Sequence, residues 1–176
     1  MAYPFVESPN YTAATARTIG VVVIHTMEIR ERKDAAEICA RWFASPVSRV
    51  SAHYSVDADS VLQSVREEDI AWHARGGNTR SIGVELAGFA RQTTADWQDA
   101  YSTAVLGRAS ALVADVCHRR RIPVRWLDAD DLVAARRGIT GHADVSRAFR
   151  KSDHWDPGPG FPVERFLALV RAARRL

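Results

Sequence analysis

Residues 19–25, IGVVVIH, constrain the fold more than any other stretch. The apolar side chains are consecutive rather than alternating, and most are β-branched. That is the pattern of a strand covered on both faces. It is far too short to cross a bilayer. The chain must therefore supply apolar layers for both sides of this strand. The run also ends on His25, where a rigid buried element gives out and a side chain can be fixed and solvent-facing together.

The layers are legible as helical patterns. Asp34 reads as an N-cap with Glu37 at the third position, followed by Ile38, Cys39, Trp42 and Phe43 at helical spacing before Pro46. That face is expected to pack on the sheet. The longest helix is expected over 96–119, with Trp97, Tyr101, Val105, Ala109, Leu112 and Val116 on one face. A last helix is expected to start at Pro162 and to bury Val163, Phe166, Leu167 and Val170. Between them SAHYSVDADSVLQSV reads as a hairpin turning at Asp57-Ala58-Asp59, and SIGVELAG at 81–88 as another strand. Strands and helices mixed in this way predict one α/β domain over 1–176, a central mixed sheet flanked by helices. Residues 1–18 stand as an N-terminal extension.

Composition removes several classes. With 47% hydrophobic and 26% charged residues the 176-residue chain is an ordinary globular one. Its net charge of +3 comes from arginine almost alone. With no basic stripe interleaved with aromatics, a nucleic-acid partner would rest on total charge only. MAYPFVESPN lacks the basic start and apolar core of a signal peptide, and no membrane segment is expected. Cys39 and Cys117 fall inside apolar helical patterns and read as free buried thiols.

Three residues suggest chemistry. His25 ends the buried strand; His142, in ITGHADV, follows a short apolar strand and a glycine that permits close backbone approach. Asp156 precedes Pro157-Gly158-Pro159, which would hold its carboxylate in one orientation. Two imidazoles and a carboxylate are a recurrent ligand set for catalytic zinc. A histidine after a strand is more often a hydrogen-bonded structural residue, and His53, His118, Asp144 and Asp153 are alternatives on the same grounds.

The stretches VVVIHTME, VSAHYSVD, AWHARGGN, RSIGVELAG, GITGHADVSR and DPGPGF, in this order and spacing, resemble the zinc-dependent N-acetylmuramoyl-L-alanine amidases of the type 2 family. That family includes phage endolysin amidases and peptidoglycan recognition proteins, and the likeness spans 19–172. GHADVSRAFRKSDHWDPGPGF looks most like amidase domains from endolysins of mycobacterial and related actinobacterial phages. The resemblance implies one zinc ion on His25, His142 and Asp156, with Glu85 assisting the attacking water. Other members use a tyrosine just before the hairpin histidine, where this chain has Ala52. Many members carry a lysine two positions before the third ligand; here that position is His154, with Lys151 further upstream, so either side chain could stabilise the oxyanion.

His73 and Asn78 fall in AWHARGGN, which in the family borders the substrate groove; Trp72 reads as core, and Arg75 and Arg80 as partners for carboxylates of a stem peptide. The implied reaction is hydrolysis of the amide between N-acetylmuramic acid and L-alanine in peptidoglycan, by a monomer without nucleic-acid or membrane partners. The enzyme is expected to stay in the host cytoplasm until released onto the wall, and to be either complete or a domain of a longer endolysin. The rival functions are a non-cutting peptidoglycan-binding domain and an intracellular amidase recycling wall fragments.

Overall fold

The computed structural model describes residues 3–174. In chain order its elements are β1 (Tyr11–Thr12), β2 (Val21–Thr26), α1 (Ala35–Phe43), β3 (Tyr54–Val56), β4 (Val61–Gln63), β5 (Ile70–Ala71), β6 (Ser81–Leu86), α2 (Ala100–Arg119), α3 (Ala129–Val133), β7 (Gly138–Gly141), α4 (His142–Phe149) and α5 (Val163–Ala173). Five strands form one sheet in the order β4-β3-β6-β2-β7. β3, β6, β2 and β7 run parallel, and β4 closes one edge as the antiparallel arm of the expected hairpin. This is the mixed sheet flanked by helices that the patterns predicted.

β2 lies in the middle, and every one of its residues is buried. Val22 and Ile24 join Ile82, Val84 and Leu86 of β6 in the large core shared with α2 and α5. Val21 and Val23 face the other way, onto Leu127, Leu132 and Val145 beneath α3 and α4. Covering both sides explains the unbroken apolar run, since each buried valine or isoleucine contributes about 1.5–3 kcal/mol.

Several expectations shift. The helix expected over 96–119 begins at Ala100; Asp99 is extended and its Oδ1 accepts from the Ser102 amide at 2.7 Å, while residues 96–98 form a separate 3-10 turn. Pro162 stands at the N-cap of α5, one place before its first helical residue. Asp34 flanks α1 without capping it; the carboxylate of Asp57, in the hairpin turn, instead accepts from the Ala36 amide at 2.9 Å. The buried face of α1 is Ala35, Ala36, Cys39, Ala40 and Phe43, and Trp42 is 55% exposed. Trp42 leaves the sheet because alanines, not an indole, fit the close helix–sheet contact.

The N-terminal extension is sewn into the domain. β1 pairs with β5, and the buried Asn10 amide donates to Phe43 O, Ser45 O and Ser48 Oγ. At the far end of α2, Arg119 and Arg120 grip the buried carboxylate of Glu67, which also accepts from the Tyr54 hydroxyl at 2.8 Å. Burial alone would raise the pKa of Glu67, but these hydrogen bonds overcome it and hold the value at about 2. Cys39 and Cys117 are free and buried, as expected.

Candidate active site

Parallel strands end on the same edge of a sheet, and crevices outside their carboxyl ends are where such sheets bind ligands. Here β2 ends with His25 and Thr26, β6 carries Glu85 next to last, and β7 runs directly into His142, the first residue of α4. His25 and Glu85 are register partners. Residues far apart in the chain thus reach one edge through topology alone.

Asp156 arrives from a loop. Its carbonyl accepts from the Ala143 amide at 2.9 Å, tying the loop to the start of α4. The close approach needs Gly141, where a Cβ would come within 2.6 Å of Pro157 Cδ. It also needs Gly158, which has φ +85° and room for no side chain, because a Cβ would lie 1.8 Å from Ala90 O. The Asp156–Pro157 peptide is cis.

His25 Nδ1 lies 3.0 Å from Asp156 Oδ2, and His142 Nδ1 lies 3.3 Å from Asp156 Oδ1. The three side chains are buried and offer ligand atoms within 4.8 Å of one another. The far nitrogens are backed as well. His25 Nε2 is 3.0 Å from His73 Nδ1, His73 Nε2 is 3.1 Å from Ser81 Oγ, and Ser81 Oγ donates to Gly77 O at 2.8 Å. A proton on each Nε2 satisfies this whole chain and leaves His25 Nδ1 as a lone-pair donor, the outer support usual behind metal-bound imidazoles. Two nitrogens and one carboxylate oxygen so arranged fit a zinc ion with an open position. Among the alternatives, Asp144 pairs with Arg147, Asp153 is exposed, His118 is on α2, and buried His53 accepts from the Gly83 amide.

The electrostatics follow from crowding. Burial, then the charges of Asp156 and Glu28, raise the pKa of half-buried Glu85 well above its ordinary value. Burial and the neighbouring histidines, His25 first among them, keep His73 neutral. Burial likewise lowers His142, against the pull of Asp156. For Asp156, burial alone would favour the acid, but the imidazoles of His142 and His25 beside it outweigh burial and favour the carboxylate.

His154 lies at the mouth. Its ring stacks on His142 with centroids 4.4 Å apart and planes at 10°, and its Nδ1 is 3.6 Å from Asp156 Oδ1. Lys151 lines an adjoining groove and does not line the pocket that holds Asp156 and Glu85. His73, expected at the substrate groove, also lines both spaces, but its ring sits over Gly83 with both nitrogens engaged. Asn78 lines the adjoining groove, while its Oδ1 accepts from the amides of His73 and Ala74 and fixes that turn. Trp72 is a correction: it is on the rim at 37% exposure, its indole donating to Thr12 Oγ1, because the core beneath is already filled. Arg80 is turned to Ala135 O, away from the groove.

Sequence reasoning missed Glu28, whose Oε1 accepts from Thr26 Oγ1 and the Ala90 amide, both at 2.8 Å. Its left-handed φ of 55° leaves no mark in the sequence. The apolar rim of Ile38, Trp42 and Trp155 around the same pocket was also missed. The helical spacing of Ile38 and Trp42 was legible, but not the side it faces.

The pattern of the family described as N-acetylmuramoyl-L-alanine amidase matches residues 15–159. N-acetylmuramoyl-L-alanine amidase A of Achromobacter lyticus is 32% identical over 172 residues, covering 93% of this chain and 89% of that protein. Among solved structures, the Staphylococcus aureus hydrolase AmiA in complex with its ligand superposes with a TM-score of 0.73 at 18% identity, over 99% of this chain and 85% of that one. A selenomethionine derivative of AmpD gives 0.68 at 23% identity, over 96% and 94%. The catalytic domain of XlyA gives 0.65 at 18% identity, over 97% and 99%. These likenesses show a shared fold, and the matched residues span the strands that carry His25, Glu85 and His142 and the loop that carries Asp156, so this chain belongs to the N-acetylmuramoyl-L-alanine amidase family.

Proposed function

We propose that the protein hydrolyses the amide between the lactyl group of N-acetylmuramic acid and the L-alanine of the stem peptide, with a zinc ion held by His25, His142 and Asp156. The observation that carries this reading is the convergence of His25 Nδ1, His142 Nδ1 and the Asp156 carboxylate beside Glu85. A zinc ion held there supplies a Lewis acid that polarises the carbonyl and brings the pKa of water down to about 7. Glu85 takes a proton from the attacking water as its oxygen bonds to the carbonyl carbon, then gives that proton to the nitrogen as the C–N bond breaks. His154, stacked at the mouth, donates to the oxyanion. His73 holds His25 in the tautomer this requires.

The likeness of residues 141–161 to actinobacterial phage endolysins supports assigning the activity to wall lysis, by a protein kept in the host cytoplasm until release. The test is mass spectrometry of purified sacculi digested by untreated, chelator-treated and zinc-restored protein. The expected result is stem peptides with a free L-alanine amine, lost on chelation and regained with zinc. Binding to sacculi without release of peptides would support the recognition domain instead; activity on small muropeptides but not on sacculi would support the recycling enzyme.

A further inference from the structure

The large apolar side chains that reach solvent are gathered on one face. Among the described residues these are Phe5, Trp42, Val47, Val50, Trp72, Val133 and Trp155. Trp42, Val50, Trp72 and Trp155 line the mouth of the site, and Val47 stands on the loop between α1 and Val50. A contiguous exposed patch of this kind marks an interaction surface. Its sharpest part is the lip made by the end of α1 and residues 44–50, where Arg41, Trp42, Pro46, Val47, Arg49 and Val50 are all exposed and residues 38–50 contain no acid.

The lip is rigid. The Asn10 amide donates to Phe43 O, Ser45 O and Ser48 Oγ, and Ser8 Oγ donates to Phe43 O at 2.6 Å. Val47 is nevertheless 79% exposed, so its methyl groups are held out into solvent instead of folding back. Arg41 and Arg49 have no hydrogen bond or ion pair with a described side chain; the acid felt by Arg41, Asp34, is already paired with Arg32. Substrate does not account for this set. A sugar ring gains from indoles, but Val47 and Arg41 line neither the pocket nor the adjoining groove. A second copy apposed on the same patch would set the arginines against each other.

We propose that this lip is a membrane interface, which seats the mouth of the site on an anionic phospholipid surface. Such a surface accepts all three chemistries at once. Indoles lie at the headgroup level, aliphatic groups go deeper, and guanidinium groups meet phosphates while their stems stay in apolar surroundings. No helix among the described residues is long and apolar enough to cross a membrane, and a peripheral interface needs none. The sequence reading expected no membrane partner because exposure of Trp42 and Val47 is a tertiary outcome. The inference goes beyond the amidase reading and does not depend on it.

The test is sedimentation of the zinc-loaded protein with vesicles free of wall material, made either of phosphatidylcholine alone or of equimolar phosphatidylcholine and phosphatidylglycerol. The protein should partition onto the anionic vesicles and far less onto the neutral ones. Val47→Asp should weaken partitioning about tenfold or more, since a charge replaces buried methyl groups. Arg41→Gln and Arg49→Gln should each weaken it about fivefold, and Arg41→Lys should retain most of it. Val133→Asp, at a site 65% exposed elsewhere on the surface, should change nothing. No partitioning onto either vesicle overturns the interface, as does partitioning that Val47→Asp leaves intact or that Val133→Asp weakens equally. A concentration-dependent dimer that Val47→Asp dissolves, without vesicle binding, overturns it in favour of a second copy of the chain.

Discussion

His25 and Glu85 are directly opposite each other on neighbouring parallel strands, at the carboxyl edge of the sheet. Residues so paired point to the same face, with strands about 4.8 Å apart. A candidate metal ligand and the proposed proton acceptor are therefore fixed side by side by backbone hydrogen bonds, independently of any loop. Replacing Glu85 with Gln keeps shape and neighbours but removes the base. Turnover should fall by about a hundredfold or more while zinc stoichiometry stays at wild type. Full lytic activity in that variant would remove Glu85 from the mechanism.

Position favours Asp156 over Asp153 as the proposed acidic ligand. Asp156 contacts both imidazoles, and Asp153 is exposed in the neighbouring groove. Asp156→Ala should purify with little zinc and Asp153→Ala with a full equivalent, as measured by elemental analysis. The opposite pattern would exchange their roles.

His73 contributes through His25. His73→Phe fills the space over Gly83 but breaks the links to His25 Nε2 and Ser81 Oγ. Zinc affinity, measured by competition with a chromogenic chelator, should weaken by about 10- to 100-fold. Unchanged affinity would leave His73 as packing only.

The stacked position of His154 predicts that His154→Ala lowers kcat by about a hundredfold, and that His154→Lys restores much of it. Steady-state kinetics on a soluble muropeptide reads this directly. An unaffected alanine variant would pass the oxyanion role to Lys151.

Acid stability should reveal the Glu67 clamp. Its folded pKa of about 2 lies below the ordinary 4.5, so between these values the unfolded chain binds more protons and stability rises with pH. The contribution, about 3 kcal/mol for a shift of this size, is present above pH 4.5 and lost as pH falls towards 2. Urea titrations across that window should show the loss in wild type and a flatter profile in Glu67→Gln.

The sequence by itself determined β2, α1, the β3–β4 hairpin, β6, α2 and α5, because apolar periodicity and β-branching are local properties: residues 19–24 read as a covered strand, and the last helix buries Phe166, Leu167 and Val170, although Val163, expected with them, is only half-buried; β1, β5, α3 and α4 are too short or too mixed to leave such a pattern. It also held the set of side chains able to bind zinc, through motifs shared with a family. It did not determine which way those side chains face. A strand covered on both sides shows no alternation, so nothing local says that His25 shares a face with Val21 and Val23 rather than with Val22 and Ile24. The tertiary structure alone made His73 a support for His25, put Trp42 and Trp72 on the rim and gave the cap of α1 to Asp57. Each of those outcomes depends on what a distant segment brings to the same few ångströms, and only the folded chain fixes that distance.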